Sequence, residues 1–197
     1  MNYLAHAYLS FNHDEILVGN LISDFVKGNR KFDYKEGILK GITLHRAIDT
    51  FTDSHNSTKL AKDIFRPSYR LYSGAFVDVV YDHFLATDVN EFNEQTLEEF
   101  SANVYKTVDR YISELPERFV RMFPYMKSQN WLLNYRTMWG TESSFGGVVR
   151  RARYLDESET AASLFEEHYD VLKQCYHAFF PDVKSFAYGL YSEIIKL

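Results

Sequence analysis

The sequence predicts an all-α fold, a single-domain helical bundle, on three observations. Apolar residues recur at helical rather than alternating spacing along nearly the whole chain. Only nine Gly and four Pro stand among 197 residues, too few for a turn-rich β architecture. No repeat, low-complexity tract or linker divides the chain, and its length suits one domain with a sizeable core.

Each element follows from its own pattern. Residues 14–26 set Ile16, Leu17, Leu21, Phe25 and Val26 on a broad apolar stripe, and Gly28-Asn29 supplies a stop. A longer helix is expected from about Tyr34 to Thr52, with Ile38, Leu39, Ile42 and Ile48 in the core. The cluster Ser54-His55-Asn56-Ser57 breaks it and offers caps for the next helix. Pro67 fits the start of another helix, carrying Leu71, Phe76, Val79, Val80 and Leu85. An acidic stretch after Thr87 precedes a helix over about 95–114, and shorter helical segments follow near 116–127 and 129–139. Ser143 to Gly147 reads as a turn, or as a flexible entry to the helix containing RRARY. Two closing helices, 158–180 and 183–196, are expected on either side of Pro181.

Composition narrows the function classes. A net charge of −5 and a pI near 5.8 provide no field that favours nucleic acid. The single Cys175 excludes an intramolecular disulfide and a multi-Cys zinc site, and reads as a small buried side chain. The first residues lack a basic n-region and a small-residue cleavage site, and no apolar run approaches the ~20 residues of a membrane span. A cytoplasmic protein without membrane insertion is the expectation. There is no Gly-rich phosphate loop and no Gly-x-Ser-x-Gly elbow.

Chemistry-bearing residues fall in four short stretches. In GITLHRAIDTFTDS, His45, Asp49 and Asp53 recur every four residues, so they project from neighbouring points on a helix. GNLISDFVKG repeats the spacing with Asn20 and Asp24, and VDVVYDHFL with Asp78 and Asp82, His83 standing next in line. NYLAHAY embeds His6 in an apolar and aromatic run. Buried carboxylates cost several kcal/mol unless paired or metal-bound, roughly as for any buried charge, and one cation shared by several of them would offset that. Mixed His/Asp ligation without cysteine suits Mn, Fe, Mg or Zn, with a lean towards the harder ions. Bland readings stand beside these. His6 can be a hydrogen-bonded core histidine, Asp53 a cap, Asp49 a partner of Arg46 and Asp78 a partner of Arg70.

Taken in order, NYLAH, GNLISDFVKG, GITLHRAIDTFTD and DVVYDHFL resemble the acyl carrier protein phosphodiesterase family, a divergent branch of the HD-domain metal phosphohydrolases. The resemblance continues through RFVRMFPYM, WLLNY, GGVVRRARY and HAFFP, and so covers nearly the whole chain. It implies an all-helical, HD-like fold and a divalent metal, Mn²⁺ favoured with Mg²⁺ or Fe²⁺ as alternatives. It also implies hydrolysis of the phosphodiester joining 4′-phosphopantetheine to a serine of holo-acyl carrier protein. Ordinary HD domains carry a His-Asp doublet, whereas here the doublet is Asp82-His83 and His45 is followed by Arg46.

For that reaction, Asp24, His45, Asp49 and Asp82 are the expected metal-binding core. His83 is the first choice of general acid for the serine alkoxide and His6 the second, either being an additional ligand otherwise. Arg46 is a candidate for a phosphate oxygen, and Asp53 and Asn20 for orienting ligands from behind. An acidic carrier protein calls for a basic patch, for which Lys27, Arg30, Lys31, Arg150, Arg151 and Arg153 are the candidates. Two other readings stay open: a related phosphohydrolase acting on another phosphoester such as a nucleotide, and a non-enzymatic helical interaction protein.

Overall fold

Two glycines set the contact between two helices at the heart of the molecule, a computed structural model that describes residues 1–196. Gly19 lies on α2 (Asp14–Ile22) and Gly41 on α3 (Glu36–Ser54), and their backbones touch. A Cβ at Gly19 would stand 2.0 Å from the Ile38 carbonyl oxygen, and one at Gly41 2.2 Å from that of Ile16. Only glycine permits this approach, which brings the end of α2 against the middle of α3. The stripe Ile38, Ile42, His45 and Ile48 on α3 is buried, so His45 occupies a core position on a helix that otherwise places aliphatic residues there.

The remaining helices wrap this pair. They are α1 (Tyr3–Tyr8), α4 (Asn56–Tyr69), α5 (Ser73–Thr87), α6 (Glu94–Arg110), α7 (Glu117–Ser128) and α8 (Trp131–Asn134). Then come α9 (Met138–Arg151), α10 (Glu159–Glu167) and α11 (Tyr169–Ile194). The chain is 82% helical with no strand among the described residues, in keeping with an all-α single domain. No helix among them is long and apolar enough to cross a membrane. Helix α5 is buried on nearly every side, from Phe76 and Val77 to Leu85 and Ala86. A helix with that environment must find a partner for each polar group it carries. Cys175 is a buried free thiol on α11.

Several sequence expectations change. Pro67 does not open a helix but sits inside the last turns of α4, which ends where Arg70 takes φ 49°. Leu71 follows in the turn before α5 and is 99% exposed, not core. Ser143 to Gly147 is helix within α9, because Thr141, Phe145 and Val148 lock one face of that helix into the core. Nor does Pro181 interrupt the chain, since α11 runs through it while Phe179, Phe180, Val183 and Ala187 anchor both halves. Packing here outweighs the roughly 3 kcal/mol that proline costs a helix interior. The break comes earlier, at His168, which separates α10 from α11. Likewise the segment 129–139 divides into α8 and the start of α9. Within the expected capping cluster it is His55 that caps α4, accepting from the Ser57 amide at 3.2 Å.

Candidate metal centre

Helix α1 delivers His6 and helix α3 delivers His45, and their imidazoles stack with centroids 3.9 Å apart and planes 17° from parallel. Both rings are tied to Asn20 of α2. The Asn20 carboxamide nitrogen donates to the His6 carbonyl at 2.9 Å and lies 3.0 Å from Ser10 Oγ. A carbonyl only accepts, which fixes the orientation of that amide. Asn20 Oδ1, 2.8 Å from His6 Nδ1, therefore accepts a proton from it. The backbone carbonyl of Asn20, one of the last four of α2 without an intrahelical partner, accepts from His45 Nδ1 at 2.7 Å. Thus one residue sets both tautomers and leaves both Nε2 atoms facing the same way.

What they face is carboxylate. Asp49, one turn beyond His45, places Oδ2 3.0 Å from His45 Nε2 and Oδ1 3.2 Å from His6 Nε2. Asp24, in the short 3₁₀ turn after α2, places Oδ1 3.2 Å from His45 Nε2. One ligand atom from each of His6, His45 and Asp49 lies within 4.8 Å of the others. The histidines are buried, whereas the Asp49 and Asp24 side chains are 40% and 75% exposed, so the group is dry behind and open in front.

Charge is divided unevenly over this pair of rings. Burial alone would lower His45, but the Asp24 and Asp49 carboxylates outweigh it and raise the imidazole to about 9. Burial, aided by the neighbouring His45, takes His6 down to about 4. Burial opposes ionisation of Asp49, yet its hydrogen bond to His45 and the Met1 ammonium 3.8 Å from its Oδ1 hold it well below the usual carboxylate range. Asp24 is lowered by its hydrogen bond to His45. His6 is thus neutral near pH 7, and its Nε2 presents a lone pair to Asp49 Oδ1 without a hydrogen bond. A lone pair facing a carboxylate oxygen in a buried site is unfavourable unless a cation lies between them. The donor set therefore fits a divalent ion. Two imidazoles and a carboxylate, with Asp24 at hand and a solvent-open side, match a catalytic site more than a closed structural one.

Several other candidates take other partners. Asp82 is fully buried on α5 and accepts the backbone N–H groups of Asn2, Leu4 and Ala5 at 3.1, 2.7 and 3.3 Å. It caps α1 from across the core and is not part of the His6, His45 and Asp49 group. Burial pushes its carboxyl up to about 7 against the pull of these donors. His83, about 100° further round the same helix, meets different neighbours. Its Nδ1 lies 2.8 Å from the Tyr135 carbonyl and 3.1 Å from Thr141 Oγ1, and its Nε2 3.1 Å from the Tyr169 hydroxyl. A histidine satisfied at both nitrogens in the core is not placed as general acid. Arg46 Nη2 donates to the Val26 carbonyl at 2.8 Å, pinning the segment after Asp24 rather than reaching for phosphate. Asp53 pairs with Lys62 at 2.6 Å, away from the histidines. Asp78, instead of pairing with Arg70, lies 2.8 Å from the Met1 nitrogen.

Of the basic residues, Lys27 and Arg30 are exposed beside the Asp24 turn, with Arg30 3.6 Å from Asp33 and Lys31 over the Phe32 ring. Arg150 and Arg151 end α9 and face a groove, and Arg153 lies over the Tyr154 ring. Sequence reasoning undervalued His6, whose place in the site shows only in its stacking on His45.

Comparison with known proteins identifies the family. The family model described as acyl carrier protein phosphodiesterase matches residues 1–183. A protein of Enterobacter sp. (strain 638) named acyl carrier protein phosphodiesterase is 35% identical over 182 residues, covering 92% of this chain and 94% of that one. A Klebsiella pneumoniae (strain ATCC 700721 / MGH 78578) protein of the same name is 34% identical over 188 residues, 95% of this chain and 97% of its own. One from Escherichia coli O6:H1 is 32% identical over 182 residues, 92% and 94% of the two chains. No solved structure matches the chain.

Proposed function

This chain belongs to the acyl carrier protein phosphodiesterase family, and from that premise we propose that it cleaves the phosphodiester of holo-acyl carrier protein, giving the apo-protein and 4′-phosphopantetheine. The observation that carries a metal-dependent reading is the buried, unpartnered His6 Nε2 beside Asp49 and His45. His6, His45 and Asp49 are the ligands of a single divalent ion, Mn²⁺ being the preferred candidate, and Asp24 completes the set or holds a water at its open edge. Such an ion, when bound, neutralises phosphate charge and lowers the pKa of a water.

The chain's own residues do the rest. Asn20 keeps Nδ1 of each histidine protonated and each Nε2 available. Asp82 holds the first turn of α1, and so keeps His6 in register with His45. Arg46 pins Val26 and fixes the approach of the Asp24 turn. Lys27, Arg30 and Lys31 on that turn, with Arg153 near the end of α9, offer an acidic carrier protein a basic edge. A cytoplasmic setting and a distant kinship to HD-domain phosphohydrolases belong to this reading as well.

The decisive measurement is incubation with holo-acyl carrier protein and Mn²⁺, followed by intact mass. Loss of the prosthetic-group mass by the native enzyme but not by Asp49→Asn supports substrate and site together. Full retention of that mass by folded, metal-loaded enzyme rules out the substrate.

A further inference from the structure

At the other end of α1 from His6, a groove of about 420 Å³ opens between the start of that helix, α8 and α9. Tyr3 forms part of its wall, one turn before His6. The chain has two tryptophans, and both line this groove: Trp131, half-buried, and Trp139, 64% exposed. No acidic side chain lines it among the described residues. Arg150 and Arg151 converge there over bare backbone. A Cβ at Gly147 would stand 3.6 Å from Arg150 Nη2 and 3.7 Å from Arg151 Nη1, so both guanidinium groups lie over that glycine. A second groove of equal volume, lined by Asn12, Asp14 and Arg110, differs in this respect, because Arg110 already donates to Asp14 at 2.9 Å.

The first groove and the metal centre are joined by helix α1, which carries both Tyr3 and His6. Burial pushes the Tyr3 hydroxyl up to about 12, while Arg151 draws it down and Asp24 draws it up. Tyr3 lines the groove and precedes His6 by one turn of α1.

We infer that this groove is the subsite for the pantetheine arm, with Trp131 and Trp139 packing on the chain and Arg150 and Arg151 donating to its amide carbonyls. The inference rests on the substrate reading given above. The chemistry of the walls matches such an arm. Pantetheine is a narrow, flexible, uncharged chain of two amides and short apolar spacers, so it needs flat apolar surface and donors for carbonyl oxygens. Guanidinium supplies donors and no acceptor, and aromatic rings supply the surface. The volume lies within the usual range for small-molecule pockets, roughly 300–1,000 Å³. A phosphodiester held at the metal centre then has its arm directed along Tyr3, away from the carrier protein.

Both tryptophans report on occupancy, so the test does not depend on turnover. Titration of the metal-free protein with pantetheine should change tryptophan emission saturably. Ser143→Phe, which fills the groove from an exposed position on α9, should abolish the change, and Arg150→Gln/Arg151→Gln should weaken binding about tenfold. The same variants should raise KM for holo-acyl carrier protein with a smaller effect on kcat, as expected for lost binding away from the reacting bond. Cleavage of holo-acyl carrier protein without any pantetheine response, and with KM unchanged in folded Ser143→Phe, would overturn the groove assignment and leave the substrate reading standing. Saturable pantetheine binding without cleavage would overturn the substrate reading, and with it the groove's role in that reaction.

Discussion

Asn20 holds His6 at two points, accepting from its ring nitrogen at 2.8 Å and donating to its backbone carbonyl at 2.9 Å. Replacing Asn20 by Leu keeps the volume but leaves the buried His6 Nδ1–H without an acceptor. Mn²⁺ affinity, measured by titration calorimetry, should fall about 10–100-fold, the usual effect of removing a group that orients a ligand. Unchanged affinity would mean that His6 does not bind the ion.

Asp49 and Asp82 make opposite predictions. Asp49→Asn removes the carboxylate between the two Nε2 atoms and should reduce Mn²⁺ binding at least about 100-fold. Asp82→Asn keeps an acceptor oxygen for α1, so affinity should change by no more than about threefold while stability drops by about 1–3 kcal/mol. Thermal melts and metal titration of both variants separate capping from ligation.

His83→Gln tests the core reading of that histidine. Losing its contacts to Tyr135 and Tyr169 should destabilise the protein by about 1–3 kcal/mol. The pH profile of kcat should keep its shape, whereas a lost limb in that profile would restore His83 as a proton donor.

Protons and metal compete at His45. Its folded pKa of about 9 lies above the ordinary 6.5, so near pH 7 its Nε2 carries a proton that an ion must displace. Mn²⁺ affinity should therefore rise about tenfold per pH unit up to roughly pH 9, with one proton released per ion. In the metal-free protein the His45 contribution to stability is full below 6.5 and is lost as pH rises through 9. His6, lowered to about 4, acts in the other direction, and its contribution is lost as pH falls from 6.5 through 4. Together the pair favours maximum metal-free stability near pH 6.5, and addition of metal should move that maximum upward. Denaturant melts across pH, with and without Mn²⁺, check both signs.

Gly41→Ala should destabilise the fold by at least about 1–3 kcal/mol, because the new Cβ meets the Ile16 carbonyl at 2.2 Å. The melting temperature of a chain this size should drop by roughly 2–4 °C per kcal/mol. As α2 is pushed off α3, the Asn20 carbonyl moves from His45, so metal affinity should fall along with stability.

The helical half of this account was legible because periodicity is local. Ile38, Ile42, His45 and Asp49 share a face by spacing alone, and that much needs no tertiary knowledge. Asn20 was marked by its spacing to Asp24, yet its hold on both histidines depends on the Gly19–Gly41 contact. Prolines misled at positions 67 and 181, since each weakens only the local hydrogen-bond ladder while distant side chains keep the helix in place.

Sequence alone determined an all-helical chain, a shared helix face for His45 and Asp49, and the family. Only the tertiary structure decided among the polar residues of α5, where Asp82 turned out to cap α1 and His83 to fill the core. Adjacent residues on a helix point about 100° apart, so which of them meets a cation and which meets a backbone amide is set by the neighbouring elements. The same holds for Arg150 and Arg151, candidates for a basic patch in sequence, whose guanidinium groups lie over Gly147 in the groove that both tryptophans line.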